Sequence, residues 1–361
     1  MELYLLDENA QRMKILPEYE SLVWRTGLMT SSADLKVLIS CFNDISKATY
    51  LERSDTDTIL FINSKKVIDK TGERGCYLSA YDPVELLRRR VLFGTRDFSH
   101  SRAEIVRRLV DAGFNRVANT PSQLLPSGSR LIELFVNRVA NDNAGAHLGE
   151  SLTCQVSWGN VYEHIESILE GMPIRFFSRF ATASERHILP VLYEGKDLTQ
   201  EVIFSTKYGD LFDVEYSFES VDRKNVAVVG GQGEGAARIV DHATMSSLDV
   251  PYGELWIDAN DVGTDDGNLT IAQVRSHLRT RGIEKLREQP CEHALMGSVS
   301  QARFQYGLDY QVADRVSYEA FGQRHEDTIS EIEEVFEKQN SRINITIGTT
   351  YPTIRQIVER N

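Results

Sequence analysis

The sequence predicts a mixed β and α+β protein, β-rich at both ends with an α/β body between them. Three observations carry this. Residues 1 to 80 hold short apolar runs at even spacing, divided by turn residues, the pattern of a sandwich or barrel. Between 82 and 200, capped helical periods mix with short strands. From 291 onward, period-two alternation returns.

The first strands are expected at 3–6 (LYLL), 20–25 (ESLVWR), 35–39 (LKVLI), 58–62 (TILFI) and 76–80 (CYLSA), with NSKK at 63–66 and TGERG at 71–75 as hairpin-like connections. The first helix starts at Asp82, with Pro83 in its first turn and Glu85 three residues past the cap, and its body runs through VELLRRRVL. A second opens on the capping box Ser101–Glu104 and turns Ile105, Val106, Leu109 and Val110 to one side until Gly113 ends it. Arg107 and Arg108 then point outward. The run Arg88 to Arg90 reads as a solvated or salt-bridged helix face rather than a handle for nucleic acid.

Further along, Leu131 to Val136 is expected as a strand and 140–151 (ANDNAGAHLGES) as a loop. Asn160 caps a helix with Val161, Ile165, Ile168 and Leu169 inward, stopped by Gly171 and Pro173. Strands FFSRF (176–180) and ILPVLYE (188–194) follow.

At the centre, Phe212, Val214, Tyr216 and Phe218 alternate with Asp213, Glu215, Ser217 and Glu219, the period of a half-buried strand. A turn and the run 225–229 make this a predicted β-hairpin that ends in the loop GGQGEG. Gly231, Gly233 and Ala236 satisfy the dinucleotide fingerprint, but no long helix and parallel strand follow in the required order, and no Lys-Ser or Lys-Thr completes a P-loop. A turn or sheet-edge loop is the better reading.

Thr270–Gln273 forms another capping box, opening a helix with Val274 and Leu278 inward and Gly282 as its stop. Residues 302 to 312 alternate as a strand, as do Ile343, Ile345 and Ile347. In EDTISEIEEVFEKQ (326–339), Ile329, Ile332, Val335 and Phe336 fit a helix by spacing, or a curved strand pair.

The 361 residues carry a net charge of −13, of which −10 falls in residues 201–270, with 14 Asp or Glu against 4 Lys or Arg. No part of the chain offers a broad basic surface, and the central segment should repel phosphate. No apolar run approaches a membrane span, and the N-terminus lacks the pattern of an export signal. Cys41, Cys76, Cys154 and Cys291 are too scattered for a zinc site or redox pair. A calcium loop from Asp258 has Asn260 in place but Val262 and Leu269 where oxygen ligands belong. His147 has no motif near it, and Cys291 with His293 lacks further ligands. No nucleophile elbow or metalloprotease motif is present, so no catalytic, cofactor-binding or metal-binding residue is assigned. Trp24, Trp158 and Trp256 lie in apolar contexts expected to be core.

The order of segments is more specific than any one of them. They are YESLVWR (19–25) with ADLKVLI (33–39), ELLRRRVL (85–92), AEIVRRLVDAGF (103–114), VIFS (202–205), NVAVVGGQGEG with Arg238, ELWIDANDV (254–262) and GLDYQVADRVSY (307–318). In that order, over nearly the full length, the chain resembles the siphophage tail-tip (baseplate) hub family of minor tail proteins, distantly similar to the hub of contractile phage tails and the base of the type VI secretion spike. Ala313 departs from the family's Gly before Asp-x-Val, and the helical spacing at 329–336 departs from the strands the family implies.

The resemblance implies a structural, non-enzymatic protein of two β-barrel-like domains with an inserted α/β domain, forming a homotrimeric ring of pseudo-sixfold symmetry. The first barrel would comprise 1–95 with 201–258, the inserted domain 96–200, a connecting helix segment 259–289 and the second barrel 290–361. The ring would end the tail tube at the virion tail tip after assembly in the host cytoplasm, dock the distal tail protein, and meet the tape measure and receptor-binding proteins. DNA would pass through it. Asp213, Glu215, Glu219, Asp222 and Glu234 would then line the lumen or, equally, solvate a sheet face. A cell-wall hydrolase and a carbohydrate-binding tail protein are the alternatives; the hub pattern leaves no spare domain for a lytic fold, and a carbohydrate module would show exposed aromatics.

Overall fold

In the computed structural model, residues 1–16, 18–114, 134–136, 138–182, 186–219, 224–244, 253–264, 269–287, 292–337 and 340–349 are described. The N-terminal third folds as β1 (Leu3–Leu6), β2 (Arg12–Leu16), β3 (Ser21–Gly27), β4 (Ser31–Val37), α1 (Phe42–Lys47), β5 (Tyr50–Arg53), β6 (Ile59–Lys70) and β7 (Glu73–Tyr81). The middle holds β8 (Val91–Ser101), α2 (Arg102–Phe114), β9 (Ala140–Asn143), α3 (Ala146–Gly149), β10 (Ser151–Asn160), α4 (Val161–Leu169), β11 (Ile174–Phe180) and β12 (Ile188–Glu194). The remainder comprises β13 (Ile203–Ser205), β14 (Leu211–Glu219), β15 (Val226–Gly230), β16 (Val240–Thr244), β17 (Glu254–Asp258), α5 (Ile271–Arg287), β18 (Glu292–Val299), β19 (Arg315–Ala320), β20 (Gln323–Glu337) and β21 (Asn340–Thr349).

Two compact units emerge, Met1–Glu215 with Leu295–Ile347, and Tyr216–Ala294 with the chain from Gly348 on. The largest sheet among the described residues has 13 strands, in the order β14-β18-β21-β20-β3-β4-β7-β6-β5-β1-β2, with β19 also on β20 and β13 on β19. The antiparallel pairing of β20 with β3, from Glu331↔Gly27 to Glu337↔Ser21, joins strands from opposite ends of the sequence. No closed barrel is found among the described residues; the strands of both expected barrels run into one sheet through this seam.

The seam is held by buried chemistry. Arg53, 2% exposed, donates to Glu334 at 2.6 and 3.1 Å and to Asp55 at 3.0 and 2.9 Å. Its guanidinium also lies over the rings of Trp24 and Phe336. A second lock sits where the end of β12 meets the start of β19: Asp314 accepts from the Tyr193 hydroxyl (2.5 Å) and from the backbone of Lys196 (2.9 Å) and Gln311 (3.0 Å). Ala313 beside it adopts φ +83°, a backbone that suits glycine. Gly195 packs so closely on the Ala313 carbonyl that a Cβ there would overlap it.

The capped helices form where expected. Ser101 Oγ accepts from the Glu104 amide at 3.4 Å, and Ile105, Val106, Leu109 and Val110 are buried. Asn160 Oδ1 accepts from Tyr162 (2.9 Å) and Glu163 (3.3 Å) to start α4, whose Val161, Ile165, Ile168 and Leu169 join α2, Leu6, Tyr50 and Ile59 in one core. Arg107 and Arg108 both pair with Glu104 at 2.7 Å. Arg88 pairs with Glu166 at 2.8 Å and Arg89 donates to the Tyr81 hydroxyl, the salt-bridged reading of that run.

Several expectations are corrected. The segment after Asp82 is a 3-10 turn, Pro83–Arg89, rather than a helix through Leu92. The Arg88 and Arg90 carbonyls are taken by the Asn160 side chain and the Val161 amide, and β8 begins at once. NSKK lies inside β6, and 140–151 holds β9, α3 and the start of β10 instead of a loop. Residues 302–312 are turns: side chains of Ser300, Gln301 and Asp309 capture the amides of Ala302, Tyr306 and Gln305, removing them from any ladder. Residues 326–337 lie in strand β20; a register shift between Ile329 and Glu331 puts Ile329 and Ile332 in one core and explains their helix-like spacing. The expected strand at Leu131–Val136 falls mostly outside the described residues. β2, β5 and α1 were not anticipated.

In the second unit, β15 pairs antiparallel with β16 and parallel with β17, so the expected hairpin of β14 with β15 does not form. Ala227, Val229 and Ala243 are buried beneath Val274 and Leu278 of α5. Thr270 and Gln273 exchange the expected capping hydrogen bonds. Gly282 does not stop α5, which continues to Arg287; it lets the helix approach the sheet, where a Cβ would meet Ala243, Val229 and Ala227.

Candidate functional site: the two rims of the large sheet

A sheet that does not close leaves backbone groups unpaired along its outer strands, and those strands are where another chain can add. Here β2 and β14 end the path. On β2 the four residues Arg12, Met13, Lys14 and Ile15 are all exposed. Arg12 lies over the Tyr4 ring at 3.8 Å and pairs with Glu52, which also receives Arg186 at 2.7 Å. Burial alone would raise the Glu52 carboxyl, but the two guanidiniums hold it below its ordinary range. On β14, Phe212, Asp213 and Glu215 are exposed and Val214 is half-buried. Asp213 has φ +52°, a kink in the strand.

Of the five acids weighed for a lumen, Asp213 and Glu215 share this strand, one residue apart. Glu234 is exposed in the glycine loop of the second unit. Asp222 and the Glu219 side chain lie outside the described residues. The apolar face expected to be buried on β14 is instead largely open, with Phe212 at 44% and Phe218 at 48% exposure.

The tryptophans divide. Trp24 is core, but Trp158 and Trp256 are exposed at 65% and 54%, against the expectation. Trp158 stands at one end of the two-stranded ribbon β8–β10, edge-on to Phe93 with centroids 5.9 Å apart. Trp256 lies beside Arg238, which donates to the Gly230 and Gly231 carbonyls and pairs with Asp258.

The glycine loop after β15 turns into a short 3-10 turn, Gly235–Ala237, and then antiparallel β16, where the nucleotide motif requires a helix. Among the described residues no group of three His, Cys, Asp or Glu could hold a metal ion. Asp258 and Asp261 of the calcium-like stretch are engaged by Arg238 and Arg281. His147 lies in α3, the His293 ring packs edge-on to Tyr216, and Cys291 falls outside the described residues. No helix among the described residues is long and apolar enough to cross a membrane.

Among the carboxyls raised by burial, Asp82 and Glu85 lie three residues apart. Burial pushes Asp82 up to about 6, against hydrogen bonds from Ser178 and Val84, and pushes Glu85 up to about 8 with Asp82 close by. Asp82 is 1% exposed and its oxygens accept from Ser178 Oγ (2.5 Å) and the Ser178 and Val84 amides (3.1 and 3.0 Å). These are the bonds of a cap tied to β11. The two outer strands thus carry opposite charges, with Lys14 exposed on β2 and Asp213 and Glu215 exposed on β14.

A model of the Siphovirus ReqiPepy6 Gp37-like protein family matches residues 127–349, and the chain belongs to that family. The fold is shared with the 43 kDa tail protein of prophage MuSo2 from Shewanella oneidensis, at 12% identity and TM-score 0.57, covering 96% of this chain and 98% of that one. It is shared with prophage tail protein gp18 from Listeria monocytogenes EGD-e, at 13% identity and TM-score 0.56, covering 99% and 98%. A chain of the half-lidded Francisella PdpA–VgrG complex is similar at 9% identity and TM-score 0.50, over 98% of this chain and 59% of that one. No curated protein matches.

Proposed function

We propose that the protein is the structural hub of a phage tail tip: a homotrimeric ring that ends the tail tube, docks the distal tail protein and supports host-binding or penetrating parts, with DNA passing through. Tail or baseplate kinship is the coarser statement, and family membership with full-length fold likeness to two prophage tail proteins supports it. The observation that carries the finer reading is the open 13-stranded sheet with exposed outer strands, which a cyclic neighbour would cover. In this reading the β-rich parts, 1–95 with 201–258 and 290–361, alternate around the ring. Acids on β14 discourage exiting DNA from binding. The test is antibody labelling of whole virions by electron microscopy. Label confined to the distal end of the tail supports the hub; label along the tube or on fibres contradicts it.

One observation favours a second role on the same protein. The exposed indole ring of Trp158, held edge-on to Phe93, is a group of the kind that stacks on sugar rings. Binding to host cell-wall glycan that is lost in Trp158→Ala would support it. A zymogram on the same wall separates binding from hydrolysis.

A further inference from the structure

The two rims complement each other in charge and in pattern. On β2 the exposed sequence reads Arg12-Met13-Lys14-Ile15, and on β14 the stretch reads Phe212-Asp213-Val214-Glu215, exposed except for the half-buried Val214. Each alternates charged with apolar residues over four positions; one set of charges is positive and the other negative. Both strands end the same sheet, and the stretch Phe212–Glu215 of β14 belongs to the same compact unit as β2.

We propose that copies of this chain join head to tail, β2 of one subunit pairing with Phe212–Glu215 of the next, so that the sheet continues across the contact. The pairing supplies partners for outer-strand amides and carbonyls, sets Lys14 against Asp213 or Glu215, and covers Met13 and Ile15 with Phe212 and Val214. The charges also choose the symmetry. A two-fold contact would lay β2 on β2 or β14 on β14 and put like charges across from each other, which is unfavourable. Only the unlike rims fit, and a repeated head-to-tail contact either closes a ring or runs on as a filament. The positive φ at Asp213 interrupts the regular strand there, so a partner strand must follow that irregularity. Arg12 is already engaged by Glu52, so Lys14 is the cation offered outward.

The proposal rests on the hub reading only for the number of copies. Its test is a charge exchange in the full chain: Lys14→Glu, Glu215→Lys and the double variant, each followed by light scattering behind a sizing column over a range of concentration and salt. Each single variant is expected to raise the concentration needed for assembly about tenfold, equivalent to about 1.4 kcal/mol. The double variant is expected to recover most of that loss, and wild-type assembly to weaken with added salt. Melting curves within a few degrees of wild type establish that the variants fold. Single variants that assemble like wild type, a double variant no better than the singles, a two-chain particle, or a wild type that stays one chain at every concentration each overturns rim pairing. A three-chain particle indifferent to the exchange overturns rim pairing alone and leaves the hub reading in place, because virion labelling reads that separately.

Discussion

The middle of the large sheet and its two ends obey the same hydrogen-bonding rule with opposite results. At the seam of β3 and β20 every strand has a neighbour on both sides, and the charged residues that enter it are sequestered: Arg53 sits against Glu334 and Asp55 with almost no exposure. At the ends, β2 and β14 have one neighbour each among the described residues, and Lys14, Asp213 and Glu215 are exposed. Buried charge must be paired locally or the fold is lost, whereas rim charge is free to meet another molecule. In the proposed assembly, stability is concentrated at the seam and association at the rims, and substitutions should separate the two.

The largest stability effect is expected at the seam. Arg53→Ala leaves Glu334 buried without its partner and should cost about 3–5 kcal/mol in urea unfolding, against less than about 0.5 kcal/mol for Lys14→Glu at the rim. Equal losses from the two would break the contrast. Next is pH. Glu85 and Asp82 have folded pKa values raised above their ordinary ones, to about 8 and about 6, so their contribution is full below about pH 4 and is lost as pH rises through those values. Glu85→Gln should flatten the fall in melting temperature between pH 5 and 8, gaining on the order of 1–3 kcal/mol at pH 8. A profile as steep as wild type would assign the fall elsewhere. Smallest is Ala313→Gly, which relieves the φ of +83° and should stabilise by about 0.5–1 kcal/mol, read as a melting shift of a few degrees.

The legible parts of the fold were those fixed within a few residues. Asp82, Ser101, Asn160 and Thr270 each accept from an amide two or three residues on, because a cap depends on its own next three amides. Pairing between distant strands was not legible. Nothing local to β3 or β20 says that they are neighbours, so the expected two barrels met as one sheet. Alternation gave β14 its strand but not its environment, since period two says that faces differ and not which face is covered; hence Phe212 and Phe218 are open. The same holds for Trp158 and Trp256, whose apolar sequence neighbours point to other faces or other strands. In β20 a one-residue bulge imitated the helical spacing, and around Ser300 to Asp309 polar side chains diverted the backbone from a strand that the alternation alone supported. The rims were invisible for the first of these reasons, because an edge is defined by the strand order.

The most direct test of the central claim is the mass of the wild-type chain in solution, by light scattering behind a sizing column across a range of concentrations. A particle of three chains that loosens as salt is added is the predicted result. A single chain at every concentration, or a particle of two, would contradict a ring built through unlike rims.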